Sequence, residues 1–331
     1  MASPGLFDSS PGFEPEAFAS YAYPRVLDPQ LAQLLEAQRV ARGPVDRYAL
    51  PFPEARLQLL QERRLGQTGE PAMQSIETSG LQVADRWVGL RWYHAGPAEA
   101  DAVALVYLHG GGWCVGSNDT HDTVLRHLAV ASALPVCGVD YSLAPEHPFP
   151  AALDDVRAVV DELLARHPRV VLAGDSAGAN LVLAEAMRRR DAGAGEGIAA
   201  LLLFYGVYAP LRESGSCAAY GGGQFGLSVA AQRRYLDAYL PTSASADARV
   251  FPLLGRLHGL PPAYLLAAEL DLLLDDSVRL HHAMAAAGSR SVLRVCAGMN
   301  HGFLNHANLL GAAAGALREA GGFAAAVAGS L

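Results

Sequence analysis

The chain has 331 residues, 51% hydrophobic and 18% charged, enough apolar material for one large domain with appended segments. Its formal net charge of −8 comes without any block of Lys or Arg, so neither nucleic acid nor an anionic membrane has an electrostatic footprint here. No uncharged apolar run reaches the roughly 18 residues of a membrane span, and the opening MASPGLFDSSPGFEPEAF lacks the basic and apolar regions of a secretory signal, so a cytoplasmic location is expected.

Residues 1–25, rich in Pro, Gly, Ser and aromatics, read as an arm that is irregular until docked. Asp28 is placed to cap a helix carrying Leu31, Leu34, Leu35 and Val40. Pro53 and Glu54 open a second through Leu57, Leu59, Leu60 and Leu65, ending near Gly66. Residues 74–79 and 82–94 have β character. From residue 103 short apolar runs (103–108, 136–140, 170–173, 198–205, 264–268, 292–295) alternate with amphipathic stretches (123–133, 152–166, 177–190, 277–287, 305–318). That rhythm predicts an α/β fold, a mostly parallel eight-stranded sheet with helices on both faces. Residues 207–250 interrupt it with a helical stretch at 229–240. We therefore expect three parts: an arm and cap helices at 1–70, an α/β domain at 71–206 and 251–331, and a cap insertion at 207–250. The helical cap would lie over the carboxyl edge of the sheet, where open α/β sheets bind ligands. The Ala/Gly-rich tail at 311–329 reads as a closing helix.

Gly174-Asp-Ser176-Ala-Gly178 is the most informative stretch, because four apolar residues precede it and a helix follows. A strand turning sharply into a helix projects the central hydroxyl, and glycines two positions to either side avoid a clash. Ser176 is the candidate nucleophile. Another buried strand leads into His109-Gly110-Gly111-Gly112-Trp113. Acyl transfer needs N–H donors aimed at a developing oxyanion, and flat glycine backbone supplies them. Gly110 and Gly111 are assigned to that hole with Ala177 as the third donor, while His109 braces the loop through a backbone hydrogen bond.

The nucleophile needs a base and the base an orienting acid. Eleven histidines compete. His301 follows the last strand at the sheet's carboxyl edge and is the candidate base. His281 and His282 fall mid-helix and read as surface residues, His94 ends an early strand at the wrong edge, and His121, His127, His147, His167, His258 and His306 lack such a location. Asp271, where the strand at 264–268 gives way to a loop, is the candidate acid, with Glu269, nearer the strand, as the weaker choice. Asp275 and Asp276 read as caps of a helix starting at Ser277.

Together with Asp140-Tyr-Ser-Leu-Ala-Pro-Glu-His-Pro-Phe-Pro-Ala-Ala-Leu-Asp-Asp155, these motifs resemble the hormone-sensitive-lipase family of α/β-hydrolase esterases, bacterial type, over roughly residues 75–310. The resemblance implies the α/β-hydrolase fold, short-chain acyl esters as substrates, no cofactor, and frequent homodimerisation. Ser142 departs from the family's usual basic residue. His109, Glu146 and Asp175 are expected to support the site, and Trp113, Tyr205, Tyr208 and Phe303 to line the substrate pocket. Gly221-Gly-Gly223-Gln-Phe-Gly226 matches a dinucleotide fingerprint but follows no convincing strand, and reads as a cap loop. No His, Cys, Asp or Glu cluster has metal-ligand spacing, and the four cysteines form no CxxC pair and read as reduced thiols. The reading is a serine carboxylesterase. The alternatives are an amide or aryl-formamide hydrolase on the same triad, and a non-catalytic ligand receptor on the same fold.

Overall fold

Strands that run apolar without polar alternation, charged at most near their carboxyl ends, must be covered on both faces. Five such runs form the sheet's centre in the computed structural model, which describes residues 26–43, 45–97, 103–212, 215–241 and 247–330. They are β3 (Ala104–Leu108), β4 (Val136–Asp140), β5 (Val170–Asp175), β6 (Ile198–Phe204) and β7 (Ala263–Leu270), buried along their length except at Asp140. With β1 (Ser75–Val83), β2 (Arg86–His94) and β8 (Ser291–Asn300) they make one eight-stranded sheet in the order β1-β2-β4-β3-β5-β6-β7-β8. β1–β2 and β2–β4 pair antiparallel and the rest pair parallel. The expected arm at 1–25 lies outside the described residues.

Alternation along each strand sorts side chains into two cores. Leu105, Tyr107, Val171 and Ala173 join the layer under α3 (Asp122–Ser132) and α9 (Gly311–Ala328). Val106, Leu108 and Leu172 join the opposite layer, with α4 (Ala151–Leu164), α5 (Ala177–Asp191) and α8 (Leu274–Ala286). The Ala/Gly-rich tail is the close-packing helix α9: a methyl at Gly321 would meet Ala131 Cβ at 2.4 Å. Asp155, fully buried, accepts from Arg86 Nη2 (2.7 Å) and from Ser142 N (2.9 Å), so this carboxylate is partnered without a basic side chain at position 142.

Among the described residues four α-helices stand outside that sandwich. In α1 (Pro29–Arg42) the Asp28 carboxylate accepts from the N–H of Gln30 and Leu31, as its position in the sequence predicts. α2 (Phe52–Arg64) follows, and α6 (Gly215–Tyr220) and α7 (Val229–Tyr239) fall between β6 and β7. Leu35, Gln38 and Arg42 share one face of α1, as do Leu59 and Arg63 of α2, and both faces border the cavity that holds Ser176. Asn180, in the first turn of α5, pins the segment between β6 and β7 at two points: its amide nitrogen donates to Val207 O and to Val250 O, both at 2.7 Å. Among the described residues no helix is long and apolar enough to cross a membrane.

One expected boundary moves. α8 starts at Leu274, so Asp275 and Asp276 lie inside its first turn and do not cap it from outside. Their carboxylates turn away to backbone donors that no strand satisfies, Asp275 to Ser216 N (3.0 Å) and Asp276 to Tyr208 N (2.8 Å) and Ala209 N (3.0 Å).

Candidate active site

Three separate strand ends deliver Ser176, Asp271 and His301 to one line. Ser176 follows β5 at φ +53°, a conformation that costs an L-residue energy and marks a functional turn. The turn is held by Ser176 N donating to Phe204 O (2.8 Å). It also needs Gly178, because a Cβ there would sit 1.9 Å from Leu108 O. Ser176 Oγ lies 2.9 Å from His301 Nε2, and His301 Nδ1 lies 2.7 Å from Asp271 Oδ2. A carboxylate only accepts, so Nδ1 carries the imidazole proton and Nε2 is bare toward the hydroxyl. Asp271 is buried, and its other oxygen accepts from Leu273 N at 3.0 Å. The Tyr205 ring packs edge-on behind His301, centroids 5.0 Å apart.

The glycine loop differs from expectation at one residue. Gly110 N donates to Asp175 Oδ1 at 2.7 Å, so its single hydrogen is spent on a buried carboxylate and does not face an oxyanion. Gly111 and Gly112, at φ +131° and +59°, carry the loop onward, and a Cβ at Gly111 would fall 2.0 Å from Val115 O. Both line the cavity beside Ser176, and the N–H groups of both donate to nothing among the described residues. Asp175 anchors the arrangement. It also accepts from Tyr107 Oη (2.8 Å), and His121 Nε2 lies 3.4 Å away. Burial alone would raise its pKa, but His121, Tyr107 and Gly110 together hold it down to about 2. His109 Nδ1 lies 2.9 Å from Gly110 O, which only accepts, so that nitrogen is the protonated one. The ring stacks on Tyr141 (4.3 Å), and burial, with His121 beside it, pushes its pKa to about 3, leaving it neutral.

The cavity over these groups has a volume of about 190 Å³. The aromatics expected to line it do not. Trp113 is fully buried and stacks on Tyr239 of α7 with centroids 4.5 Å apart, while Tyr205, Tyr208 and Phe303 are buried in the cores. Glu146 also lies elsewhere: it pairs with Arg56 of α2 (2.6 Å), whose guanidinium also donates to Cys114 O and Ala144 O. That cluster fastens α2 to the sheet loops. The residues that do border the cavity include Arg42, Arg47, Glu62 and Arg63 from the α1–α2 region, Tyr235 and Gln232 from α7, and His121 and His306. The sequence motifs point to none of these, and they give His121 and His306 no place at the site. For Arg63 a signal exists: Ala55, Leu59 and Arg63 fall on one helical face at four-residue spacing, and Ala55 and Leu59 are buried, so a charge there points inward.

The chain matches the family model described as alpha/beta hydrolase fold over residues 105–305. Among solved structures it is similar to an ester hydrolase from the metagenome of Lake Arreo, complexed with a bipyridine phosphonate derivative. The two are 31% identical over 92% of this chain and 99% of that one, with a TM-score of 0.83. It is similar to a hyperthermophilic esterase from the archaeon Pyrobaculum calidifontis, at 27% identity over 90% of this chain and 98% of that one, TM-score 0.83. A thermophilic carboxylesterase cloned from a metagenomic library matches at 31% identity over 86% of this chain and 98% of that one, TM-score 0.80.

Proposed function

Because the chain belongs to the α/β-hydrolase fold family, we propose that it is a carboxylic ester hydrolase of the bacterial hormone-sensitive-lipase type, acting on short-chain acyl esters through an acyl-enzyme on Ser176. The observation that carries this is the continuous hydrogen-bonded line Ser176–His301–Asp271, ending beside backbone N–H groups with no partner among the described residues.

His301 Nε2 takes the Ser176 proton as Oγ attacks the ester carbonyl, and Asp271 steadies the imidazolium that forms. The carbonyl oxygen becomes an oxyanion in front of Gly111 N, Gly112 N and Ala177 N. The last sits at the amino end of α5, where the helix adds partial positive charge. His301 then returns its proton to the departing alcohol. Water, deprotonated by the same imidazole, attacks the acyl-enzyme, and His301 returns that proton to Ser176 Oγ as the acid leaves. α1, α2, α6 and α7 act as the cap. The cavity is smaller than the roughly 300–1,000 Å³ clefts that bury drug-sized ligands, which supports a short acyl group. The resemblance also carries a homodimer, which sedimentation of the purified chain tests.

A series of p-nitrophenyl esters from acetate to decanoate, with a matched anilide, tests the reading. Turnover should be highest at two to six carbons and near zero on the anilide. Labelling by a phosphonate ester should add its mass to the Ser176 peptide alone. Faster anilide than ester turnover would replace the assignment with an amide hydrolase.

A further inference from the structure

The chain as a whole is acidic, yet the wall of its cavity is not. Arg42, Arg47 and Arg63 face it from the α1–α2 region, against Glu62 on the same wall. Glu62 is already shared: it bonds Arg47 and lies 3.7 Å from Arg42. Arg63 is left over. Among the described residues its guanidinium makes no hydrogen bond or ion pair, and its Nε is sealed from solvent without a partner. Its Nη2 lies 3.8 Å from the place a Cβ would occupy on Gly302, the residue after His301. The anions near it, Glu62 and Asp175, act on its charge only through space, and burial outweighs them. His306 is held neutral, its pKa pushed to about 3 by burial and then by Arg63 itself, and Asp175 is engaged by Gly110 and Tyr107. A guanidinium keeps its charge across the ordinary pH range, and holding one in a cavity wall without a hydrogen-bonded anion costs free energy that the through-space pull of Glu62 and Asp175 only partly offsets. Its planar donor array fits a carboxylate.

We propose that Arg63 binds a carboxylate carried by the ester, so that the preferred substrates are anionic: monoesters of small dicarboxylic acids, or short acyl esters of hydroxy acids. The inference rests on the esterase reading and adds the charge of its substrate. Arg42 and Arg47, further along the same wall, draw the anion in against the net charge of the protein.

The test is a comparison of kcat/KM on matched esters at low salt, in two arms. For an anionic acyl part, mono-p-nitrophenyl glutarate is set against p-nitrophenyl valerate; for an anionic alcohol part, 4-acetoxybenzoate against phenyl acetate. The wild type should favour the anion in one arm by at least about tenfold. Arg63→Gln should erase that preference, mainly by raising KM for the anionic ester, and Arg63→Lys should restore part of it. The arm that responds tells which side of the ester faces Arg63. Equal turnover of anionic and neutral esters by the wild type in both arms overturns the proposal, as does a preference that survives Arg63→Gln. Should Arg63→Gln fail to fold, the wild-type preference and its loss in 0.5 M salt still decide. If the wild type turns over none of the four esters, the esterase reading has failed, and the charge proposal falls with it.

Discussion

On the floor of the cavity the polar groups are tied to one another. Asp175 binds Gly110 N and Tyr107, His109 binds Gly110 O, and Asp271 binds Leu273 N and His301. On the wall the groups are long side chains from helices outside the sandwich, and one cation has no partner among the described residues. A floor of mutually fixed dipoles suits a reaction whose charge develops at one place, because no reorganisation is needed when it appears. A wall of arginines suits the choice between ligands, because guanidinium groups discriminate by charge and shape. Rate and selectivity are therefore expected to separate along this boundary.

The boundary can be broken most severely at the floor. Ser176→Ala should lower ester turnover by roughly 10⁴–10⁶-fold with an unchanged circular dichroism spectrum; a folded variant that keeps its rate sinks the nucleophile assignment. Asp271→Asn should cost about 10⁴-fold in kcat, since the amide favours the wrong imidazole tautomer. Gly112→Ala should cost on the order of 10²–10³-fold, because the new methyl would lie 2.3 Å from the Tyr235 ring and displace the loop. All three losses should be alike on neutral and anionic esters, and a loss confined to one class would erase the distinction between floor and wall. On the wall, Glu62→Gln releases Arg47 and Arg42 and should change KM only severalfold, lowering it for anionic esters.

Two buried carboxylates sharpen the comparison through pH. Asp175, on the floor, has its pKa lowered to about 2, so its contribution to stability is present above pH 4 and lost as pH falls toward 2. Asp276, under the segment between β6 and β7, runs the other way. Burial raises it from 3.8 to about 6, against the pull of the Tyr208 and Ala209 N–H groups. Its contribution is full below about pH 4 and fades as pH rises through 6, by roughly 2–3 kcal/mol. Urea unfolding between pH 4 and 7 should show that decline in the wild type and a flatter profile in Asp276→Asn. An unchanged slope would remove Asp276 as its source.

The same division governed what could be read from sequence. Ser176, Asp271 and His301 each end a strand, and strand ends are set by local apolar runs and turns, so chain position alone brought them together. The role of the Gly110 N–H is not legible in the sequence because its partner, Asp175, comes 65 residues later and meets it only across the β3–β5 pair. The pocket aromatics failed for a similar reason. Trp113 adopts φ +59°, which sends it under α7 to Tyr239 and away from the cavity. Glu146 was drawn toward the site by its place in a motif, whereas its ion pair to Arg56 depends on where α2 docks. Arg63 was within reach, since one charge on an otherwise buried helical face is a readable conflict.

Asn180 carries a consequence for evolution and engineering. One amide, a turn after the nucleophile, grips the chain at Val207 and again at Val250. Everything between those points is a cassette whose two ends are fastened to a single post. Its exposed stretches can drift in length and sequence, or be exchanged, while strand order and elbow geometry stay as they are, provided the two gripped carbonyls and the contacts to Asp275, Asp276, Gly112 and Trp113 keep their places. A library that randomises the exposed positions between them, leaving Tyr208, Ala209, Tyr235 and Tyr239 in place, should retain turnover of a minimal acetyl ester while its preference among larger esters scatters widely. The same library built on Asn180→Ala should yield few folded members.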